Sequence, residues 1–417
     1  MQTLTQLRKL GLFDARVPRY TSYPTAPHLK NGVGGEEISN WLGDIPAGSS
    51  VSLYVHVPFC RRLCWFCACR TQGTATAEPV AAYVETLKQE IELVKARLPE
   101  GVTLEHLHWG GGTPTLLEPA MITDLAGAIF DMAPLAPGAQ FSVEIDPTEV
   151  DGPRLDALAA AGLNRASIGV QDFDPMIQEV IGRPQSYEIT REAVDGLRER
   201  GIRSLNVDLL YGLPHQTEAR MTDSVEKVIS LGPDRIALFG YAHVPWMSKR
   251  QQLIPTEALP SPDERFALYN LAHDLFIGDG FEAIGIDHFA KPEDGLAKAW
   301  KAGTMHRNFQ GYTEDKSTAL IGLGASSIAD DDLLRGRIIE KLLCDFRVDL
   351  GAVADEQGVE PDQVLATLDG LEETLPGTTE MDGNVLIIKE FAIPLARMIA
   401  KHFDAYEMSA TGHSQAV

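Results

Sequence analysis

The sequence predicts an α/β fold in which parallel β-strands alternate with α-helices and form a barrel or partial barrel. Short apolar runs ending in Gly, Asp, Pro or His recur along residues 51–329. The longer segments between them place apolar residues at i, i+3, i+4 and i+7, the spacing of one helix face. Six or more such βα units favour a barrel with right-handed crossovers. The competing doubly wound fold is less favoured because its G-x-G-x-x-G turn is missing.

The first 50 residues predict an extended arm that covers the barrel as a lid. The stretches "VPRYTSYPTAPH" and "NGVGG" are rich in Pro, Thr, Tyr and Gly, and "GEEISNWLGDI" predicts a short helix after them. The N-terminus lacks the apolar core of a secretory signal. No apolar run approaches the roughly 20 residues that cross a bilayer. We therefore expect a cytoplasmic protein without membrane insertion.

Eight apolar runs predict the strands of the barrel region. They are "SVSLYVHVP", "LEHLHWGGGTP", "QFSVEIDP", "NRASIGVQDF", "SLNVDLLYGLP", "RIALFGYAHVP", "FEAIGIDHFA" and "ALIGLGASS". Helices are predicted between them, as in "AAYVETLKQEIELVKARL", "EPAMITDLAGAIFDM" and "DERFALYNLAHDLFIGDG". The polar motifs fall at the carboxyl ends of the strands, where parallel barrels place their active sites.

Residues 330–417 predict a separate, small and mostly helical α+β domain. "LLRGRIIEKLLCDFRVDL" and the acidic stretches after it are helical in pattern, and "TTEMDGNVLIIKE" predicts a hairpin with Asp-Gly at its turn. The chain therefore divides into an arm (1–50), a barrel (51–329) and a C-terminal domain (330–417).

The charge of the chain excludes some classes of partner. Lys and Arg total 36 against 59 Asp and Glu, a net charge of −23. A field of this sign repels nucleic acid and anionic lipid, so we expect neither as a partner. An anionic ligand would need a local basic pocket.

Four of the five cysteines lie in one stretch, "YVHVPFCRRLCWFCACR". Their clustering and odd number argue against a disulfide framework. Cys60, Cys64 and Cys67 follow a C-x₃-C-x₂-C pattern that can wrap one [4Fe–4S] cluster and leave one iron open to a ligand. Cys69 is poorly placed as a fourth ligand because only one residue separates it from Cys67.

A zinc site remains the alternative for this loop. Tetrahedral zinc normally uses a second, distant pair of ligands. The fifth cysteine, Cys344, lies in an apolar helix pattern and reads as a core residue, so zinc would have to recruit His56 or His108.

The motifs around these cysteines resemble those of the oxygen-independent coproporphyrinogen III oxidases, a family of the radical S-adenosylmethionine (SAM) superfamily. The resemblance rests on "PRYTSYPTA", "LYVHVPFC", the extra Cys69, "HWGGGTPT", "VEIDP", "GVQDF", "DLLYGLP", "YAHVP", "DHFA", "HRNFQGYT" and "LLCDFRVD", in this order. It implies a (βα)₆ partial barrel, one [4Fe–4S] cluster and two SAM molecules. It also implies that SAM is cleaved to a radical that abstracts hydrogen from the substrate.

The same resemblance implies a role for individual residues. Cys60, Cys64 and Cys67 would bind the cluster. The positions that match the first SAM are Tyr54, Gly111, Glu144 and Ile328. The positions that match the second are Phe66, Gly112, Thr113, Gln171, Arg183, Asp208 and Ala242. Cys69 is a candidate catalytic residue that points to the second SAM or to the substrate.

The implied reaction is the decarboxylation of two propionates of coproporphyrinogen III to vinyl groups, giving protoporphyrinogen IX. The four carboxylates of this substrate predict a cationic pocket, since Arg pairs with carboxylate in bidentate geometry. Its candidate residues are Arg19, Tyr20, Arg165, His306 and Arg307. We also expect a monomer that uses an electron donor and an acceptor not identified by the sequence.

One departure and two alternatives remain open at this stage. Family members continue after the "GASSI" motif with a few dozen residues that this chain does not have, which puts Ile328 in question. One alternative is another enzyme holding two SAM molecules, a methyltransferase or a cyclopropane-forming relative. The other is a haem chaperone of the same superfamily without enzymatic activity.

Overall fold

The structure is a computed structural model that describes residues 2–21, 23–25, 28, 34–325, 333–406 and 416. The strands are β1 Ser50–Val57, β2 Phe59–Cys60, β3 Gln72–Gly73, β4 Thr103–Gly111, β5 Leu135–Ile145, β6 Arg165–Gln171, β7 Ser204–Tyr211, β8 Arg235–Gly240, β9 Glu282–Ile284, β10 His288–Ala290, β11 His306–Asn308, β12 Gly311–Thr313, β13 Leu320–Leu323, β14 Arg347–Asp349, β15 Thr379–Asp382 and β16 Val385–Ile388. The helices are α1 Gln2–Lys9, α2 Gly35–Gly43, α3 Glu78–Lys95, α4 Pro119–Met132, α5 Gly152–Ala160, α6 Pro175–Val180, α7 Tyr187–Glu199, α8 Glu218–Ser230, α9 Pro262–Gly278, α10 Gly295–Lys301, α11 Leu333–Cys344, α12 Leu350–Gln357, α13 Pro361–Leu365, α14 Leu371–Thr374 and α15 Ala396–His402. Short 3₁₀ helices lie at Pro114–Leu116, Lys249–Leu253, Thr256–Ala258, Ala366–Leu368 and Glu390–Leu395.

A nine-stranded sheet in the order β13-β1-β4-β5-β6-β7-β8-β10-β9 forms the barrel. Its first seven strands pair in parallel, and helices lie between the consecutive strands β1, β4, β5, β6, β7 and β8 of this sheet. Within the described residues, no pairing joins the two edge strands, so the barrel is partial. The predicted α/β fold of a partial barrel is confirmed.

One predicted strand is instead a hairpin. The run "FEAIGIDHFA" forms β9 and β10, which pair antiparallel, and β10 then pairs antiparallel with β8. The chain reverses between the two strands, where Gly285 has a φ of +57°. A left-handed glycine in an apolar run allows the reversal, and the periodicity of the run alone did not reveal it.

The two faces of the barrel strands differ in character. Along β6, buried and partly exposed residues alternate, with Ala166, Ile168 and Val170 packed outward against the helices. The inward residues of the parallel strands are mostly polar, as the two-residue period of a strand requires. The barrel interior is therefore polar and partly open, while the apolar core lies between strands and helices.

The amino-terminal end of the barrel is closed by buried ion pairs. Arg235, the first residue of β8, contacts Asp294 at 2.5 Å and Glu314 at 2.6 Å. Arg165, the first residue of β6, lies 4.0 Å from the same Glu314 carboxylate. Burial by itself would raise the pKa of Glu314, but these two guanidinium groups hold it at about 2. We call this group of charges the barrel floor.

A second core joins the two ends of the chain. Leu12, Phe13 and Val17 from the arm pack with Ile338 and Ile399 of the C-terminal region. That region contains helices α11–α15 and a three-stranded antiparallel sheet in the order β14-β16-β15. The division of the chain at residues 50 and 329 stays a prediction.

The predicted C-terminal hairpin is present, but its turn lies one residue further along. Asp382 pairs with Val385, so Gly383 and Asn384 are the central residues of the turn. In the part of the chain that is described, no helix combines the length and the apolar character needed to cross a membrane.

Candidate active site

The cysteine loop follows β1 at the carboxyl end of the barrel and is held from outside by the segment after β8. Ser248 donates to the carbonyl of Cys67 at 3.1 Å, and Arg250 donates to the carbonyl of Cys69 at 3.2 Å. Gln251, which is buried, donates to the carbonyl of Phe66 at 2.7 Å. These side chains fix the backbone of the loop, a role that the sequence analysis missed.

The three predicted cluster ligands each have a hydrogen-bond donor beside the sulfur. Arg183 donates to Cys64 Sγ at 3.4 Å, and the backbone N–H of Cys69 donates to Cys67 Sγ at 3.4 Å. The hydrogen bond from the Cys69 thiol lowers the pKa of Cys67 to about 6. Burial raises the pKa of Cys60 to about 11, although a hydrogen bond with Thr113 opposes this.

These surroundings fit a group that several thiolates share. All five cysteines lie in the described part of the chain and carry free thiols. Among the described residues, no three Cys, His, Asp or Glu side chains are grouped closely enough to hold a single metal ion. Hydrogen bonds to the sulfurs are the environment that tunes an iron–sulfur cluster.

The glycine motif after β4 packs directly on the start of the cysteine loop. Gly112 donates to the carbonyl of Val57 at 2.8 Å, and Thr113 donates to that of Phe59 at 2.7 Å. A Cβ on Gly112 would lie 2.6 Å from the Phe59 carbonyl oxygen, and Gly111 has a φ of +107°. Both glycines are therefore required by the backbone itself, and the turn leaves an open surface beside the cysteines.

Glu144 lies at the end of β5 and faces this turn. Its Oε2 accepts from the backbone N–H of Gly111 at 3.2 Å, and its Oε1 lies 3.5 Å from His108 Nε2. His108 Nδ1 in turn lies 2.5 Å from Ser142 Oγ. Tyr54 stacks on the His108 ring with centroids 5.8 Å apart. The structure thus brings Tyr54, Gly111 and Glu144 together, as predicted for one ligand site.

Side chains of β6 and β7 supply a second polar group. Asp208 accepts from Asn206 Nδ2 at 2.7 Å and from Ser167 Oγ at 3.4 Å, inside the barrel. Burial raises the pKa of Asp208 to about 6. Gln171 has a φ of +69° at a register shift of β6. A non-glycine residue held in this region stores strain that often marks a functional position.

Arg183 connects this second group to the cysteine loop. Its guanidinium lies 3.6 Å from Asp146, donates to the Gly169 carbonyl at 2.8 Å, and its side chain is only 14% exposed. Burial alone would lower the pKa of Arg183, but Asp146 and the thiol of Cys64 raise it. This arginine is therefore a fixed charge beside the cluster loop rather than an ordinary surface residue.

Three further predicted residues lie at or within the cysteine loop: Ala242 borders the loop, and Phe66 and Cys69 belong to it. The Ala242 carbonyl accepts from Gln251 at 3.0 Å, and the Phe66 ring packs in a small cluster with buried residues that follow β6 and β7. Cys69 is exposed at the end of the loop. Ile328 lies outside the described residues.

A cavity at the carboxyl ends of β7 and β8 gathers four arginines. They are Arg19 from the arm, Arg265 from α9, Arg307 from β11 and Arg397 from α15. Its remaining wall combines apolar and aromatic side chains, including Phe239, Phe266, Tyr269 and Ile286, with the Asp287 carboxylate. We call it the arginine cavity.

Two guanidinium groups of the arginine cavity, those of Arg19 and Arg307, are only partly satisfied within the described residues. Arg307 donates to the carbonyls of Tyr20 and Arg19 at 3.2 Å each, yet its Nη1 and the Nε of Arg19 have no hydrogen-bond partner there. Burial, together with repulsion from Arg397, lowers the pKa of Arg19 to about 10. An anion entering this cavity would accept hydrogen bonds from the N–H groups without partners and would offset the burial of the Arg19 charge.

Three residues of the predicted cationic pocket do not line this cavity, and their role in substrate binding stays a prediction. The Tyr20 ring lies in the second core, and its hydroxyl donates to Asp404 at 3.0 Å. His306 faces Glu340, with Nδ1 and Oε1 3.2 Å apart. Arg165 belongs to the barrel floor, at the opposite end from the active site.

The sequence analysis missed Arg265 and Arg397. One signal for Arg265 was available, because it shares a helix face with Leu268, Ala272 and Phe276, all of them buried. An arginine on an apolar stripe must find an anion or a polar cavity. Arg397 lies in a short helix of the C-terminal region, and no periodicity places it beside the barrel.

Comparison with known proteins agrees with this geometry. Residues 54–228 match the radical SAM superfamily. The chain is 52% identical to the oxygen-independent coproporphyrinogen III oxidase of Paracoccus denitrificans, with 100% of both chains covered. It is 50% identical to the protein of the same name from Cereibacter sphaeroides, with 98% of each covered.

A solved structure is similar over nearly the whole chain. The coproporphyrinogen III oxidase HemN of Escherichia coli, described as a radical SAM enzyme, superposes with a TM-score of 0.86. Its sequence identity is 32%, with 94% of this chain and 100% of that chain covered. The alignment to the Paracoccus denitrificans protein extends over 451 positions against 417 residues here, a difference of about 34.

Proposed function

This chain belongs to the oxygen-independent coproporphyrinogen III oxidases, and we propose that its arginine cavity binds propionate groups of the substrate during their decarboxylation. The reaction converts two propionates of coproporphyrinogen III to vinyl groups in haem biosynthesis. When bound, the [4Fe–4S] cluster and SAM supply the radical that removes one hydrogen atom from the propionate chain. Loss of CO₂ and one electron from the substrate then forms each double bond.

Cys60, Cys64 and Cys67 hold the cluster in this proposal. The geometry of the cysteine loop supports this assignment, because Gln251 and Ser248 fix the backbone of the loop. Arg183 donates to a ligand sulfur and so helps to stabilise negative charge at the thiolates.

Two polar groups inside the barrel are proposed to bind the two SAM molecules. The first consists of Tyr54, Gly111 and Glu144, in which a carboxylate beside exposed glycine backbone suits an ammonium group or ribose hydroxyls. The second group surrounds Arg183 near the carboxyl ends of β6–β8. It comprises Phe66, Gly112, Thr113, Gln171, Arg183, Asp208 and Ala242. Cys69, at the edge of both, is proposed to contact the second SAM or the substrate.

The observation that carries the substrate assignment is the convergence of four arginines on one cavity of a chain with a net charge of −23. Among the described residues that line the cavity, four are arginines and one, Asp287, carries a carboxylate, so positive charge predominates in this partly buried lining. Carboxylates are the natural counterions because a guanidinium can bind one through two parallel hydrogen bonds. The aromatic and aliphatic wall would pack against the pyrrole rings.

No protein acid or base is required by this chemistry, so the residues act by positioning and by excluding water. Arg19 links the arm to the barrel, since its guanidinium donates to the Gly240 carbonyl and its own carbonyl accepts from Arg307. The arm thus closes the cavity by contacts that include the same arginines that would bind the substrate.

The test is an anaerobic assay of the reconstituted enzyme with reductant, SAM and coproporphyrinogen III, measuring 5′-deoxyadenosine and CO₂. In the variants Arg265→Gln and Arg397→Gln we expect KM for coproporphyrinogen III to rise by about 10-fold or more, because a charge-assisted hydrogen bond contributes roughly 1.5–3 kcal/mol. Cluster absorbance should not change. Arg165→Gln is the matched control, an arginine of the barrel floor, and should keep the wild-type KM.

Two outcomes would contradict the proposal. An unchanged KM in both cavity variants would remove the cavity from substrate binding. Cleavage of SAM without CO₂ release by the wild-type enzyme would contradict the decarboxylase activity itself.

The alternatives have weaker support. A methyltransferase, a cyclopropane-forming enzyme or a haem chaperone would not be expected to match coproporphyrinogen III oxidases over the full chain. We further propose that the protein acts in the cytoplasm as a monomer, with a separate electron donor and acceptor. Its five free thiols suit a reducing compartment.

A further inference from the structure

Acidic residues are absent from two segments that meet at the cysteine loop. The chain has 59 Asp and Glu in 417 residues, yet none lies in residues 45–77 or in residues 235–256. The first segment contains the cysteine loop, and the second contains Ser248, Arg250 and Gln251, which hold that loop. The exposed parts of the two acid-free segments therefore lie next to each other at the cysteine loop.

This surface is basic. Its charged side chains are Arg61, Arg62, Arg70, Lys249 and Arg250, and we call them the basic face. Arg61, Arg62, Arg70 and Lys249 are exposed, and Arg250 is partly exposed. Among the described residues, only Arg61 of these five lies within ion-pair distance of a carboxylate, with Glu149 at 3.9 Å. The basic face thus carries several uncompensated charges on a strongly acidic protein.

Large apolar side chains border the basic face. Trp246, Met247 and Leu253 are 47%, 58% and 58% exposed, and all three lie in the second acid-free segment. The guanidinium of Arg16 lies 5.6 Å from the centroid of the Trp246 ring. Exposed aromatic and Met side chains with arginines nearby have the composition of protein–protein interfaces.

We propose that the basic face is the docking site of a small acidic electron-carrier protein that reduces the cluster held by the cysteine loop. This rests on the proposed function only in that the bound cluster must receive an electron. The charge of the partner follows from complementarity. The chain as a whole carries a net charge of −23 and repels an acidic protein, so such a carrier meets attraction where basic residues gather and acidic residues are absent.

We assign an electron carrier to the basic face because this face lies on the cysteine loop. Arg62 and Arg70 belong to the cysteine loop itself, and Arg250 donates to the Cys69 carbonyl. A protein docked here sits directly over the loop, without entering the barrel. An anionic flavin hydroquinone in the carrier gives up one electron, becomes the neutral semiquinone and keeps its proton, while the cluster gains that electron.

The experiment uses reconstituted, cluster-containing enzyme and a bacterial flavodoxin as the probe, without SAM or coproporphyrinogen III. Binding of oxidised flavodoxin is measured by calorimetry, and reduction by flavodoxin hydroquinone by stopped-flow absorbance of the cluster. In Arg62→Glu/Lys249→Glu we expect the affinity and the second-order rate constant to fall at least about 10-fold at low salt. At about 500 mM salt the difference should shrink to less than about 3-fold, because screening weakens exposed charges.

Two controls separate docking from other effects. Arg203→Glu/Lys298→Glu reverses two exposed charges that lie away from the cysteine loop, one immediately before β7 and one in α10, and should behave like the wild type. Reduction by photochemically generated deazaflavin radical, a small molecule, should be equally fast in all proteins. Equal cluster absorbance in each variant shows that the loop is intact.

Three results would overturn the proposal. The first is a wild-type rate and affinity in the basic-face variant, and the second is an equal loss in the control variant. The third is a raised KM for coproporphyrinogen III with unchanged flavodoxin reduction, which would assign the basic face to attraction of the anionic substrate instead. Because reduction is measured without substrate, failure of the decarboxylase assay would leave the docking result standing.

Discussion

Asp208 allows a quantitative test of the barrel interior. Its carboxyl is buried among Asn206, Ser167 and the strands around them, and burial raises its pKa from 3.8 to about 6. A carboxyl whose folded pKa is raised holds its proton more tightly in the folded state than in the unfolded state. The folded protein therefore loses stability as pH rises from about 4 through 6, and above that range the loss is complete.

The size of the loss follows from proton linkage. A difference of about 2 pKa units corresponds to about 3 kcal/mol at pH 8, of which about 1.5 kcal/mol is already present at pH 5. These are upper limits because Asp208 is partly exposed to the water of the barrel interior. The variant Asp208→Asn removes the titration, so we expect it to be more stable than the wild type without SAM, and by more at pH 8 than at pH 5.

The assay is anaerobic thermal unfolding of the cluster-containing enzyme at both pH values. We expect the Tm advantage of Asp208→Asn to be roughly 1–2 °C larger at pH 8 than at pH 5. Asp223→Asn, at an exposed position of α8, is the control and should change stability by less than about 0.5 kcal/mol at either pH. An advantage independent of pH, or a loss at pH 8, would refute the reasoning. Saturating SAM should reduce the advantage if Asp208 contacts it.

Three further changes test the site. Arg19→Ala should weaken coproporphyrinogen III binding by about 10-fold while cluster absorbance stays intact, and unchanged affinity would remove the arm from the mechanism. Cys60→Ala should lose the iron content measured after reconstitution, whereas Cys69→Ala should retain it; equal loss in both would make Cys69 a ligand. Gly112→Ala places a Cβ 2.6 Å from a backbone carbonyl oxygen. It should destabilise the protein by about 1–3 kcal/mol in denaturant unfolding, and wild-type stability would show that the turn can shift.

The barrel could be predicted because each of its units carries local information. Strands such as β6 alternate faces every second residue, and the helices after them repeat every three to four. The cysteine loop could also be predicted, because the spacing of its cysteines indicates shared ligands. The turn after β4 could be predicted because its glycines lack side chains and let the backbone approach other groups. The conformation of Gly111 illustrates this, because only glycine readily adopts its φ of +107°.

The arginine cavity could not be predicted in full because distant segments build it. Arg19 and Arg397 are separated by most of the chain and meet only because the arm and the C-terminal region share one core. The sequence likewise offered no sign that Arg165 is neutralised by Glu314 or that Tyr20 turns away toward Asp404. The partners of Arg165 and Tyr20 depend on which side chains become neighbours after folding.

The barrel floor has a consequence for the order of events during turnover. Ion pairs among Arg165, Arg235, Glu314 and Asp294 close the far end of the barrel, so substrate, CO₂ and product share the passage at the carboxyl ends of the strands. Two propionates on different rings must be presented in turn to one reaction centre. After the first decarboxylation, the tetrapyrrole must rotate in place or leave and return in another orientation. If the tetrapyrrole leaves, a monovinyl product should appear in solution before the divinyl product and added coproporphyrinogen III should compete with its second conversion; rotation in place would release only the divinyl product.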